Sequence, residues 1–489
     1  MTPEEFQKLP LMPLGDTYGN APTGLDPIQQ FFLPYVEYYH LGLWFIFFST
    51  LSFMVINYIG RPLLEEGHKA AAPSLTPQGS KFKNLYHKVF SIDEIEKDLV
   101  VRLFGYAILI GFLASFRSWE GSLGTTIHAD QLCWPFLQNC DSWAFMTGRP
   151  YGYDQNAFFM IMFGLIVLSA YYLSVGHYMA AHVCILILFL WKLYITSLSY
   201  YYNANYDYYH TAFCIIFLFM PHKRFFGSLC VVFFYFLSTA TKIHESWSLG
   251  TYFTSMKTGL PIFPDSTTMI WTNLVIFMEM VGAWFLFSRH KILQRTVFFF
   301  FCIFHLYSGL LVGYHYPTIV MPSLIVFFGP LYKPFDMVPL DRKAVLGWLF
   351  MLSLLGAQMI SHFIPGDEKL TLEGNFYGLY MFEANHQCRV IVKDEQGNIV
   401  REEISTSARN RCDPYRYMHI GQKMMCGQGE NSPKFSATLD HSINGGPFYR
   451  IVDVDDACAL TYKPFSKNDW IKTEKTAEPV GRPHKNLYY

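Results

Sequence analysis

A lysine follows one of the most apolar stretches of the chain. Residues 225–236 read F-F-G-S-L-C-V-V-F-F-Y-F, and Lys242 comes shortly after them, with His244, Glu245 and Trp247 close behind. A lysine at a helix end can extend its amine to the lipid headgroups. An amine held at the edge of an apolar cavity can instead act as a base, because burial disfavours the charged form.

Three further ionisable residues interrupt apolar stretches. Arg102 opens one stretch, Glu279 lies in the middle of V-I-F-M-E-M-V-G, and His305 follows F-F-F-F-C-I-F. Ionisable residues inside a membrane span are costly and tend to face a cavity, so each is a candidate site residue. Lys192 and His182 carry no spacing signal, and we interpret them as structural.

A polar and aromatic tract at residues 200–210 reads Y-Y-Y-N-A-N-Y-D-Y-Y-H. Interfacial aromatic residues prefer the level of the lipid headgroups. Asn203, Asn205, Asp207 and His210 add more polar groups than such a belt requires. The tract is therefore a second place where a ligand could be held.

The composition indicates a membrane protein. Hydrophobic residues make up 52% of the 489 residues and charged residues 15%, whereas soluble domains carry about 25% charged residues. The net charge of −1 gives no attraction to nucleic acid. We expect an all-α polytopic domain of about eight to ten transmembrane helices, since a span needs roughly 20 apolar residues. The candidate spans lie near 40–60, 98–117, 156–175, 178–200, 208–220, 225–242, 269–288, 296–314 and 344–364, with a proline-broken or half-crossing helix at 317–330.

Lysine and arginine in the short loops predict the orientation. The basic 61–97 loop is expected in the cytoplasm, and the basic connections at 222–224, 289–295 and 340–343 then fall on the same side. This topology places the N-terminus and everything after about residue 365 outside the cytoplasm.

The part of the chain after residue 364 has a different character. The alternation of apolar and polar residues at 390–404, around a turn with Gly397, predicts a β-hairpin. The sequence at 448–455 predicts another strand. The fold class is thus an all-α membrane domain followed by a β-rich extracytoplasmic domain. Even numbers of cysteines in the outer segments are typical of disulfides. The pairing is left open, and a bond between the two segments is one of the possibilities. The candidates are Cys133 and Cys140 in an outer loop and Cys388, Cys412, Cys426 and Cys458 in the outer domain.

The predicted organisation has six parts. These are an extracytoplasmic segment at 1–38, an extra transmembrane helix at 39–60, a cytoplasmic linker at 61–97, a membrane domain at 98–364, a β-rich domain at 365–470 and a tail at 471–489.

The Lys242 stretch resembles a known family. Lys242-Ile-His-Glu-Ser-Trp247-Ser-Leu-Gly250 is similar to the K-[LI]-x-x-x-W-x-x-G stretch of vitamin K-dependent γ-glutamyl carboxylases, which share their membrane domain with the "horizontally transferred transmembrane" (HTTM) proteins. Glu279, the Phe304-His305 pair and the R-L-F-G start at Arg102 also resemble that family. The likeness covers roughly 95–410. Where the carboxylases have Asn-Asn-His, this chain has Ala204-Asn205-Tyr206.

The resemblance implies an enzyme of the quinol-dependent carboxylase or epoxidase type. It implies Lys242 as the catalytic base and His305 as a second catalytic residue. Arg102, Asn205, Tyr206, Trp247 and Glu279 are implied as residues that bind the substrate or cofactor. The cofactor would be a quinol similar to vitamin K or menaquinol, and no metal is required.

A second function belongs to a different class. The chain could be a non-carboxylating HTTM protein that binds a lipid, a quinone or an exported peptide, or a scaffold that joins other subunits of a membrane complex. The extra N-terminal helix and the unmatched outer domain favour such partners. No N-x-[ST] sequon appears in the outward segments, which favours a bacterial inner membrane.

Overall fold

The computed structural model describes residues 3–10, 12, 31–40, 42, 81–119, 132–143, 153–202, 204–256, 259–335, 338–405, 411–426 and 434–483. The predicted span near 40–60 lies almost entirely outside the described residues, and so does the linker up to residue 80.

The chain forms two compact units that are discontinuous in sequence. The first unit combines Met1–Phe45, Ser238–Met278 and Gly356–Tyr489, and the second combines Ile46–Leu237 and Glu279–Leu355.

The second unit is helical. Four helices of the described chain are long and apolar enough to cross a membrane: Leu99–Phe116, Tyr178–Leu198, Lys223–Ala240 and Lys291–Leu311. Shorter apolar helices cover Phe158–Ser174, His315–Phe328 and Val345–Met359. These findings confirm a largely helical, apolar domain with candidate membrane-spanning helices. The full helices are Lys81–Phe90, Ile92–Lys97, Leu99–Trp119, Tyr153–Ser174, Tyr178–Leu198, Asn205–Phe219, Lys223–Ala240, Lys291–Val312, His315–Phe328 and Val345–Met359, with 3-10 turns at Cys140–Trp143, Tyr200–Tyr202 and Gly282–Phe287.

Helix Leu99–Trp119 contacts several other helices of this unit. It packs against Tyr153–Ser174, Asn205–Phe219 and His315–Phe328. The Phe104 ring, which is completely buried, lies within 5.7 Å of the ring centroids of three other phenylalanines. Glycines allow this close packing: a Cβ on Gly111 would lie 2.4 Å from the His210 ring.

Two predicted spans differ in detail from the structure. The single span expected at 269–288 is divided into helix Thr268–Met280 and the 3-10 turn Gly282–Phe287, because Gly282 falls at the break and glycine is a poor helix former. The segment expected to be broken by proline is one helix, His315–Phe328, which contains Pro322. At 1.5 Å per residue its 14 residues cover only about 21 Å.

The first unit contains an antiparallel sheet. Its strands are β1 (His386–Lys393), β2 (Ile399–Ser405), β3 (Ser436–Ile443), β4 (Phe448–Val454) and β5 (Pro479–Gly481), in the order β2-β1-β3-β4-β5. The predicted hairpin and the predicted strand at 448–455 are confirmed. Gly397 takes a φ of +82° in the hairpin turn, and β5 lies within the segment predicted as a tail. The helices of this unit are Pro3–Lys8, Glu245–Ser248, Thr251–Thr254, the first part of Thr268–Met280, Glu368–Thr371 and Pro414–Met425, with 3-10 turns at Leu33–Tyr35, Asp265–Thr267, Ser361–Phe363, Asn375–Tyr377 and Ala457–Ala459.

The six candidate cysteines form three pairs at disulfide distance. They are Cys133–Cys140, Cys388–Cys412 and Cys426–Cys458, with Cα–Cα distances of 5.3, 5.8 and 5.7 Å. Among the described residues, no disulfide joins the outer loop to the C-terminal segment, which was one of the open alternatives.

Candidate functional site

Lys242 lies in a tight turn after helix Lys223–Ala240. Its side chain is 1% exposed. The Nζ atom donates to the carbonyl oxygen of Ser238 at 3.2 Å and lies 3.3 Å from the Ser238 hydroxyl oxygen. The same Nζ lies 5.8 Å from the centre of the Trp247 ring. The amine is therefore held by neutral oxygens and an aromatic face in a buried position.

Trp247 and Gly250 shape the segment that follows. The Trp247 indole Nε1 donates to the carbonyl oxygen of Thr272 at 2.9 Å. Gly250 has a φ of +76°, and a Cβ there would lie 3.0 Å from the backbone nitrogen of Met269. Only glycine adopts this conformation without strain. We call residues 242–250 the Lys242 turn.

Other cationic side chains of the first unit lie near the Lys242 turn. Burial lowers the pKa of His244 well below its usual range, and the charges of Lys369, His40 and Lys242 lower it further. His244 is thus a neutral imidazole near neutral pH. Its buried Nε2 atom has no hydrogen-bond partner among the described residues, so this nitrogen is available to a ligand.

A second group of polar side chains is buried in the second unit. The Tyr235 hydroxyl lies 2.5 Å from His305 Nε2, and the Tyr316 ring centroid lies 5.6 Å from that of His305. Both tyrosines lie within electrostatic range of the Glu279 carboxyl group. We call Tyr235, Glu279, His305 and Tyr316 the His305 cluster. Two of the predicted site residues, Glu279 and His305, thus lie near the same two tyrosines.

The His305 cluster has an unused polar atom. His305 is 0% exposed, and its Nδ1 atom has no hydrogen-bond partner in the described part of the chain. If the Tyr235 hydroxyl donates to Nε2, then Nδ1 carries the proton and can donate to an oxygen of a ligand. Phe301 stacks on Tyr235 at 4.0 Å, so the surroundings are aromatic and suit an apolar ring.

Three predicted site residues have other surroundings in the second unit. Arg102 donates to the Glu96 carbonyl oxygen at 2.9 Å and lies 4.9 Å above the Tyr178 ring. Tyr206 stacks on His315 at 5.9 Å, and Asn205 begins helix Asn205–Phe219. None of these described contacts joins them to the His305 cluster.

A third group is formed by side chains from three helices of the second unit. Lys192 Nζ lies 2.8 Å from Asp207 Oδ1, 2.9 Å from His210 Nδ1 and 3.2 Å from Ser115 Oγ. Ser115 donates to the same carboxylate oxygen at 2.7 Å. These acceptors use all three N–H groups of the ammonium. We call Ser115, Lys192, Asp207 and His210 the Lys192 cluster, and its geometry fits the structural role expected for Lys192.

Several residues of these groups were not singled out from the sequence. Tyr235, Tyr316 and Ser115 occupy apolar helices in which an occasional hydroxyl is ordinary, and no spacing signal marks them. His40 and Lys369 are far from Lys242 in sequence. For the Lys192 cluster, the only signal in the sequence was that Asp207 and His210 are more polar than an aromatic belt at the membrane surface requires.

Comparisons of the chain with models of protein families, with curated protein sequences and with solved structures gave no match.

Proposed function

We propose that this chain is an integral membrane protein of the carboxylase-like or HTTM type, in which Lys242 acts as a base on a quinol. The observation that carries the proposal is the buried position of the Lys242 amine, directly after an apolar helix of membrane-spanning length. The motif resemblance supplies the reaction, and the Lys242 turn supplies the base.

Lys242 would remove a proton from a ligand hydroxyl. In this step the O–H bond of the ligand breaks and an N–H bond forms on Nζ, so a neutral amine becomes an ammonium group. The Ser238 oxygens then accept hydrogen bonds from the ammonium, and the Trp247 face stabilises its charge through a cation–π contact. A quinol, when bound, would supply the acidic hydroxyl and, with dioxygen, the oxidation that drives carboxylation of a peptide glutamate.

The motif resemblance supplies the roles of the remaining predicted residues. It assigns His305 as a second catalytic residue, and the atom that would act is Nδ1, which is buried and has no hydrogen-bond partner among the described residues. It assigns Arg102, Asn205, Tyr206, Trp247 and Glu279 as residues that bind the substrate or cofactor.

We further propose a bacterial inner membrane location with the sheet outside the cytoplasm. Two cysteine pairs in the sheet-bearing segment and one in the 132–143 segment support an oxidising compartment. The basic loops support the same orientation.

The test is quinol epoxidation by membranes that contain the full chain. Wild type should form the epoxide from a vitamin K-type quinol, and Lys242→Ala should not. Lys291→Ala, which removes an exposed lysine of the second unit, is the matched control and should keep the wild-type rate. An unchanged rate in Lys242→Ala would contradict the proposal.

A partner-binding function is favoured by one separate observation. Strand β2 is an edge strand of the sheet, and its Ile399 and Val400 side chains are 55% and 56% exposed. An edge with exposed apolar residues can pair with a strand of a peptide or another subunit. Gentle detergent extraction should then recover stable partner subunits that are lost in Val400→Pro. Recovery of a clean monomer from wild type would contradict this second function.

A further inference from the structure

Two residues from the N-terminal part of the chain contact the Lys242 turn and the helix that follows it. The His40 Nε2 atom lies 2.9 Å from the hydroxyl oxygen of Ser248, and the Tyr39 hydroxyl donates to Asn273 Oδ1 at 2.8 Å. All four residues belong to the first unit. The two contacts join parts of the chain that are 208 and 234 residues apart, so folding of this unit brings the N-terminal segment onto the candidate site.

The neighbours of Asn273 fix the direction of its hydrogen bonds. Its Nδ2 atom donates to the carbonyl oxygens of Ser248 and Met269 at 2.8 and 2.7 Å. These two bonds use both hydrogens of the amide group, so Oδ1 is the acceptor of the side chain. The Tyr39 hydroxyl is therefore the donor, and Asn273 joins Tyr39 to the backbone of Ser248.

Ser248 is held through both its side chain and its backbone. The residue is 3% exposed, its hydroxyl contacts His40, and its carbonyl oxygen accepts from Asn273. The backbone of His244, in the same turn, is a second hydrogen-bond partner of His40. Since Tyr39 and His40 are neighbours in sequence, these contacts form a closed ring that passes through Ser248.

Ser248 connects this ring to the amine of Lys242. It directly follows Trp247, whose indole donates to the Thr272 carbonyl oxygen and whose ring centre lies 5.8 Å from Lys242 Nζ. A buried amine meets a reagent only when the surrounding structure opens locally. Hydrogen bonds that exist only in the closed turn therefore oppose exposure of the amine.

We propose that Tyr39 and His40 are positioning residues that hold the Lys242 turn in the conformation that buries its amine. Their part in catalysis rests on the proposed function of Lys242, whereas their hold on the turn does not need the reaction. Both residues lie outside 95–410, the range over which the chain resembles the carboxylases, so the resemblance does not imply them.

Amine labelling of the full chain in detergent tests the proposal. The probe is ethyl acetimidate, whose imidate carbon forms a bond to a neutral amine as ethanol leaves, and mass spectrometry of peptides gives the rate at each lysine. In wild type, the buried Lys242 should react more slowly than the exposed Lys291. His40→Ala and Tyr39→Phe should each raise the Lys242 rate about fivefold, the factor that corresponds to one hydrogen bond of ordinary strength.

Three controls separate a local effect from a general loss of structure. Tyr38→Phe removes the hydroxyl of an adjacent residue that is 76% exposed, and Lys242 should then react as in wild type. Lys192, which is 0% exposed in the second unit, should keep one slow rate in all variants. His40→Ala/Ser248→Ala should label Lys242 no faster than His40→Ala, because both changes remove the same contact.

Unchanged labelling of Lys242 in both His40→Ala and Tyr39→Phe would overturn the proposal. An equal rise at Lys192, or wild-type labelling of Lys242 as fast as that of Lys291, would overturn it as well. If His40→Ala does not fold, Tyr39→Phe and its control Tyr38→Phe decide, since each keeps its aromatic ring. Labelling needs no quinol, so a wild-type chain that forms no epoxide would contradict the proposed function and leave this test intact.

Discussion

Lys192 and Asp207 form an ion pair of 2.8 Å in which the two side chains are 0% and 1% exposed. Removal of one partner from such a pair leaves an uncompensated buried charge. We expect Asp207→Ala to lower the free energy of unfolding by about 3–5 kcal/mol. Chemical unfolding of the chain in detergent measures the change.

The control for this pair is the exposed ion pair between Lys463 and Asp469 at 3.7 Å. Asp469→Ala should leave stability nearly unchanged, because exposed pairs contribute little. The double variant Lys192→Met/Asp207→Leu should be more stable than Asp207→Ala, since it removes both charges. Equal stability of Asp207→Ala and wild type would contradict a structural role for the pair.

Gly250 is expected to be intolerant of a side chain. Its φ of +76° and the 3.0 Å approach of Met269 predict strain in Gly250→Ala. A residue other than glycine in this conformation costs about 1–2 kcal/mol. Thermal unfolding of Gly250→Ala should show the loss. Gly356→Ala, where a Cβ meets no atom within 4 Å, should be neutral or stabilising, and similar losses at the two positions would exclude this explanation.

The sheet should lose stability in mild acid because of a buried histidine pair. His386 Nδ1 lies 3.0 Å from His441 Nε2, and His441 Nδ1 lies 2.7 Å from the Leu370 carbonyl oxygen. Burial lowers the pKa of each histidine to about 3, with smaller effects of Arg411 on His386 and of His386 on His441.

The pH window follows from these pKa values. Below pH 6.5 the unfolded chain binds protons that the folded pair does not, so stability is full above pH 6.5 and falls as the pH falls toward 3. At pH 5 the loss should be on the order of 2 kcal/mol per histidine. Denaturant titrations at several pH values measure it. His386→Phe/His441→Asn should flatten the profile between pH 7 and 5, whereas the exposed control His290→Asn should keep the wild-type slope; a flat wild-type profile would count against the account.

The Tyr235 hydroxyl should stabilise the His305 cluster. Tyr235→Phe keeps the stack on Phe301 but leaves His305 Nε2 without this hydrogen bond. An unsatisfied buried polar group costs about 1–3 kcal/mol, and the unfolding free energy should fall by that amount. The control Tyr314→Phe changes a hydroxyl on a 51% exposed residue and should have no effect. Equal behaviour of the two variants would show that the Tyr235–His305 contact is unimportant.

Local patterns in the sequence predicted much of the fold. Long apolar runs located the helices that begin at Leu99, Tyr178, Lys223 and Lys291, because one helix satisfies its own backbone hydrogen bonds. The alternation of apolar and polar residues around Gly397 predicted the hairpin, because its two strands are neighbours in sequence and pair with each other. The break after Met280 was missed, since the stretch 269–288 is mostly apolar on both sides of it and only Gly282 marks the change.

Contacts between distant parts of the chain could not be predicted in this way. Ser115 and Asp207 are 92 residues apart, and His386 and His441 are 55 apart. Their meeting depends on how helices and strands pack, which no local pattern records. Hydropathy alone predicted a lysine at a helix end that extends to the lipid headgroups, and only the motif resemblance pointed to a held amine; the structure buries the Lys242 side chain.

Chemical rescue tests the central claim most directly. If Lys242 is the base, Lys242→Ala should form no epoxide from a vitamin K-type quinol, and added ethylamine should restore part of the rate, because the small amine can occupy the space left by the lysine side chain. The rescued rate should rise with the concentration of neutral amine as the pH is raised. An active Lys242→Ala without amine, or a wild-type chain that forms no epoxide from any quinol, would contradict the account.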